Sequence, residues 1–147
     1  MLTASSPSVP ELASRLRLAI TRTARRLRQE SDSALSPTQA ATLGTIERAG
    51  PLTPSELARI ERVQRPTISR VTARLGQAGL IERLPDELDG RGARLRLTAE
   101  GLRTLRGLRS RKTAYLTEGL HRLDPEERAV LAQASELLER LLEDGGE

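Results

Sequence analysis

The chain has 147 residues, enough to bury one substantial core but too few for two independent domains of ordinary size. It lacks cysteine, which excludes disulfides, thiolate redox sensing and cysteine-based zinc sites, and its single histidine, His121, has no second histidine with which to hold a metal. The net charge of +4 is unevenly spread, with thirteen basic and five acidic groups in residues 62–112 but three and nine in residues 113–147, so a polyanionic partner is expected at the middle of the chain.

Residues 1–9 are rich in Ser and Pro and read as a frayed end. From Glu11 onward Leu12, Leu16, Ala19, Ile20, Thr23 and Leu27 keep helical period while Arg15, Arg22, Arg25, Arg26 and Arg28 take other faces, which predicts an amphipathic helix over 10–30. Residues 31–35 form a linker. Ser36, Pro37 and Gln39 then supply a cap, a proline at the first turn and a third-position amide, starting a helix that runs to about Ala49 and ends at Gly50-Pro51.

Thr53, Pro54 and Glu56 repeat that logic, with cap and carboxylate able to satisfy orphan amides reciprocally. Leu57, Ala58 and Ile60 are predicted to face inward. The pattern lapses over residues 62–65, and Pro66 opens a further helix in which Ile68, Val71 and Leu75 make the buried stripe. Arg65, Thr67, Ser69, Arg70 and Arg74 are left for its sides and outer face.

Gly79 stops that helix, and residues 80–84 and 93–97 read as two strands joined by 85–92. Ala93, Leu95 and Leu97 alternate with Arg94 and Arg96, the pattern of a strand with one face on a core and the other toward solvent or phosphate. Thr98 caps a long helix carrying Leu102, Leu105, Leu108, Tyr115, Leu116 and Leu120. Asp124, Pro125 and Glu127 open the last helix, whose stripe is Val130, Leu131, Ala134, Leu137, Leu138, Leu141 and Leu142.

The expected fold is mostly α with a small β-hairpin wing: a winged helix-turn-helix lobe over 36–98 within a single domain 1–147, flanked by helical regions 10–30 and 99–145. The polar face from Arg65 to Arg74 suits readers of base edges in a major groove, and it equally suits a solvated helix face. Arg91, between two glycines, could enter a narrow minor groove or belong to an ordinary polar turn. The leucine stripes of the terminal helices exceed what a monomer needs and suggest a homodimer interface; an intramolecular bundle is the alternative.

One histidine, no cysteine and no paired acids on one predicted face leave little for acid–base or nucleophilic catalysis, so an enzyme, a cofactor and a metal are not expected. Nothing approaches 18 consecutive apolar residues and the N-terminus has no apolar signal core, so no membrane contact and a cytoplasmic location are expected.

Several runs resemble the MarR family (multiple antibiotic resistance regulators): Ser55-Glu56-Leu57-Ala58, the helix end Ala78-Gly79-Leu80-Ile81-Glu82-Arg83, the Asp89-Gly90-Arg91 wing and the exit Leu97-Thr98-Ala99-Glu100-Gly101. The resemblance implies a dimeric DNA-binding transcriptional regulator, a repressor released from a pseudo-palindromic operator by a small ligand such as a phenolic or aromatic acid. It also implies that Arg91 enters the minor groove with Asp89 orienting it. The DNA contacts would then be Arg65, Pro66, Thr67, Ser69, Arg70, Arg74, Asp89, Arg91 and Arg94. The sequence departs from many relatives at Arg65-Pro66, where a small capping residue is usual. A winged-helix module that binds DNA without sequence preference, or binds another protein, is the competing reading; comparing promoter and scrambled DNA at matched salt separates the two.

Overall fold

The computed structural model describes residues 5–85 and 92–145. In chain order they form α1 (Val9–Ser31), α2 (Pro37–Ala49), α3 (Pro54–Glu61), α4 (Arg65–Gln77), β1 (Ile81–Pro85), β2 (Ala93–Leu97), α5 (Ala99–His121) and α6 (Pro125–Asp144). The chain divides into two compact units, Met1–Lys112 and Thr113–Glu147.

Helix starts follow local chemistry. Ser8, Ser36 and Asp124 each accept a hydrogen bond from the third helical N–H, and the side chains of Glu11, Gln39 and Glu127 in turn accept one from the cap residue's own N–H. Each such cap is worth about 1 kcal/mol. The Ser8 backbone N–H, then its hydroxyl, hold the Glu11 carboxyl below its ordinary pKa. Because Ser8 is a complete cap, α1 begins at Val9, inside the stretch expected to fray, and extends to Ser31, inside the expected linker. Thr53 caps α3 by accepting from the Glu56 N–H at 3.2 Å, but the expected reciprocal bond is not among those formed, and the Glu56 carboxylate lies 3.9 Å from Arg94 instead.

The first unit is built on one contiguous core contributed by Leu43 and Ile46 of α2, Leu57 and Ala58 of α3, Ile68 and Leu75 of α4, Leu52, Leu80, Ile81 and Leu95 around the hairpin, and Leu105 of α5. Leu43, Leu57 and Ile68 have no exposed surface, and burial of such side chains contributes roughly 1.5–3 kcal/mol each. Ile60, expected inward, is 47% exposed. At about 100° per residue, Ile60 lies well round the helix from the Leu57–Ala58 direction, and Val63, just past the helix end, packs against the core instead.

β1 and β2 pair antiparallel with Ile81 opposite Leu97 and Arg83 opposite Leu95. Leu52 adds a third, one-residue partner: its N–H donates to the Leu95 carbonyl at 3.1 Å and its carbonyl accepts from the Leu95 N–H at 2.7 Å. This bridge ties the wing to the entrance of α3, a link that periodicity does not reveal.

The helix exit and the start of α5 lock together. Gly79 takes φ +74°, the left-handed region that favours glycine, just beyond the Ala78 cap of α4. Thr98 donates its hydroxyl to the Gly79 carbonyl at 2.6 Å, accepts from the Gly101 N–H at 3.0 Å, and donates its own N–H to the Leu80 carbonyl at 3.1 Å. A Cβ on Gly101 would lie 2.0 Å from that same Leu80 carbonyl oxygen, so only glycine permits the approach.

In the second unit no described residue is buried, and α6 leaves Leu137, Leu141 and Leu142 more than half exposed. No helix among the described residues is long and apolar enough to cross a membrane.

Candidate nucleic-acid interface

The helix expected to read DNA is α4. Its Ile68 and Leu75 are sealed into the core, and Val71 packs against the same cluster, so their burial fixes the helix's rotation. Thr72 joins the buried side, outside the stripe that periodicity predicts. Its hydroxyl donates back to the Ile68 carbonyl at 2.8 Å, which satisfies the polar group and lets a threonine pass as core.

With that face fixed, Arg65, Pro66, Ser69, Arg70 and Arg74 are exposed and Thr67 is half-buried at the edge. All six are among the expected DNA contacts. Gln64, the N-cap of α4, makes no side-chain cap bond; Pro66 has no N–H to offer, and the Thr67 N–H donates to the Gln64 carbonyl at 3.0 Å. Arg62 holds a left-handed conformation, φ 54°, that turns the chain from α3 into α4.

Thr67, Arg70 and Arg74 share a shallow groove with Ser36, Thr38 and Gln39 at the N-terminus of α2. In the sequence Ser36 and Gln39 signal only a cap, and nothing there places them beside α4. Capping and a role at this surface are compatible, since a helix N-terminus attracts anions.

On the wing, Arg94 is half-buried and donates to the Pro51 carbonyl at 3.2 Å while standing 3.9 Å from Glu56. It therefore braces the hairpin against the start of α3, besides whatever it offers to DNA. Arg96 pairs with Glu82 across the strands at 2.5 Å, an exposed pair that contributes little to stability. Asp89 and Arg91, the expected wing-tip contacts, lie outside the described residues.

A second tie connects α2 to the end of α3. The buried Thr45 hydroxyl donates to the Glu61 carboxylate, and Arg48 donates to Thr45 Oγ1 at 3.3 Å. Glu61 is the last residue before the turn into α4, so this pair steadies the helix-turn-helix from behind. Among the described residues no group of three or more His, Asp or Glu side chains is placed to hold a metal ion.

The MarR family model matches residues 35–92. An uncharacterised HTH-type transcriptional regulator of Mycobacterium leprae is 34% identical over 134 residues, covering 90% of this chain and 94% of its own length. The chain belongs to the MarR family. Among solved structures, a Pseudomonas aeruginosa protein described as a transcriptional regulator superposes with a TM-score of 0.82 at 37% identity, covering 94% of this chain and 99% of that one. A mutant of Escherichia coli MarR gives a TM-score of 0.77 at 27% identity, covering 93% and 99%. Like other MarR-family members, the chain is a winged helix-turn-helix regulator of transcription that binds DNA, and it is not an enzyme. The matched segment begins just before α2 and ends at the hairpin, so it coincides with the lobe that carries the exposed face of α4.

Proposed function

We propose that this MarR-family protein is a cytoplasmic homodimeric repressor that binds a pseudo-palindromic operator and is released from it by a small ligand. The observation that carries the DNA-reading part is the fixed rotation of α4: an apolar stripe held in the core leaves Ser69, Arg70 and Arg74 facing outward on one helix, with Thr67 half-buried at the edge of that face. Arginine can bond guanine edges bidentately and threonine can touch a thymine methyl, so such a helix in a major groove has the chemistry to discriminate bases. Arg65 suits a flanking phosphate, and Arg94, Asp89 and Arg91 are assigned to the wing contact.

The dimer is supported by exposed apolar side chains on helices that bear none of these DNA contacts. Leu12, Leu18 and Ile20 of α1 are each at least 44% exposed, and α6 exposes its leucine stripe. Water-exposed leucines in such number are unfavourable unless a partner covers them. A two-fold dimer would also set two α4 helices on half-sites one DNA turn apart.

The experiment is a binding titration with DNA from the protein's own promoter and with a scrambled duplex at the same salt concentration. A specific regulator binds the promoter at least roughly 10³-fold more tightly. Equal affinities would leave only phosphate binding and would overturn the operator reading.

A further inference from the structure

Within the first unit, α1, α2, the end of α3 and α5 line a partly open cavity of about 480 Å³, a size typical of small-molecule sites, which run to roughly 300–1,000 Å³. Its apolar wall is aliphatic, with Leu27, Leu35, Leu105 and Leu108, and no aromatic ring lines it among the described residues. Leu108 is buried outside the contiguous core of the lobe, Leu105 belongs to that core and Leu35 packs against it, so the apolar floor of the cavity continues the core.

The charged wall is lopsided. Arg28, Arg48, Arg109 and Lys112 face a single carboxylate, Glu61. Arg109 is paired with Glu47 at 2.6 Å, and Arg48 bonds Thr45. Arg28 and Lys112 have no ion-pair partner among the described residues. Burial, and then the charges of Arg28 and Arg109, push the Lys112 pKa below its ordinary value, so the cavity gathers like charges that repel one another. Ser36 and Pro37 bring the N-terminus of the 13-residue helix α2 to the same wall, and that end of a helix favours anions.

We propose that this cavity binds a small aliphatic dianion, a phosphomonoester or a dicarboxylate on a short saturated body, with Arg28 and Lys112 on its charges and the leucine floor against its body. This rests on reading the protein as ligand-responsive, and it specifies the ligand's chemistry. Two unpaired cations favour two negative charges over one. The missing aromatic lining gives a phenolic ring nothing to stack on. A wholly hydrophilic polyanion would leave the leucine floor uncovered.

The test is calorimetric titration of the full-length, DNA-free protein with butyl phosphate, adipate and salicylate in chloride buffer of matched ionic strength. At least one of the two dianions should bind roughly tenfold or more tightly than salicylate, and which one binds identifies the source of the charge. Lys112→Met and Arg28→Met should each weaken that binding roughly tenfold or more, and Lys112→Arg should restore most of it. Thermal unfolding separates binding from folding: the dianion should raise the wild-type Tm and leave the Tm of Lys112→Met unmoved. The proposal is overturned if salicylate binds more tightly than both dianions, if neither dianion releases or absorbs heat, or if both methionine variants bind as the wild type does. Promoter binding by the ligand-free protein is measured separately, and its loss would remove the operator reading while leaving the calorimetric result intact.

Discussion

The two units solve opposite problems. The first holds every buried residue among those described and leaves its surplus cations, from Arg62 to Lys112, near the outside of a sealed core. The second carries three basic and nine acidic groups over residues 113–147, buries none of its described residues, and exposes leucines along α6. The winged-helix lobe is stabilised by its own packing, whereas the C-terminal helices present apolar surface that the proposed dimer would cover. Stability in the first unit is therefore sensitive to single atoms in the core, while substitutions in the second should act chiefly through assembly.

The largest effect is expected at the proposed dimer surface of the second unit. Leu137→Glu together with Leu141→Glu puts charge on the exposed stripe of α6, and sedimentation velocity should show the dimer replaced by monomer. Operator affinity should fall roughly a hundredfold or more, the scale at which two linked contacts exceed one. A dimer of unchanged mass would mean that the stripe does not form the interface.

Next comes the contrast between two helical glycines. Gly101→Ala forces a Cβ against the Leu80 carbonyl and should cost about 3 kcal/mol in denaturant unfolding, the upper range for overpacking. Gly119 lies in the part of α5 belonging to the second unit, and a Cβ added there would meet nothing within 4 Å. Gly119→Ala should thus be neutral or stabilising by up to about 1 kcal/mol. Similar losses at both positions would erase the distinction between the units.

How much of this was legible in the sequence varies with the kind of signal. The limits of α2 followed from Ser36, Pro37 and Gln39 at its start and Gly50-Pro51 at its end, because such signals are local and need no tertiary context. The stripe of α4 followed from the spacing of Ile68, Val71 and Leu75. Ile60 was misplaced because α3 has only eight residues, too short for periodicity to fix which of its apolar side chains the core accepts. Thr72, the Leu52–Leu95 bridge and the second attachment of Arg94 were hidden because each depends on a partner distant in sequence or on a hydroxyl bonding its own helix. The individual charged residues that line the cavity were out of reach for the same reason: Arg28, Arg48 and Lys112 come together only when α1, α2 and α5 pack.

A smaller effect should come from Thr42, whose hydroxyl is fully buried with no hydrogen-bond partner among the described residues. Thr42→Val keeps the shape, removes the unpaired group and should stabilise the protein by about 1 kcal/mol, read as a higher denaturation midpoint. A loss of stability would show that the hydroxyl has a partner, such as a bound water.

The central claim is that the face of α4 fixed outward by core packing reads bases, and Arg70→Ala tests it most directly. Fluorescence anisotropy would follow wild type and variant binding to the promoter duplex and to its scrambled counterpart, at one salt concentration and with folding checked by circular dichroism. The variant should lose about 1–3 kcal/mol on the promoter and much less on the scrambled duplex, lowering the specificity ratio. Equal losses on both duplexes would make Arg70 a phosphate contact and contradict the assignment of α4 as the base-reading helix.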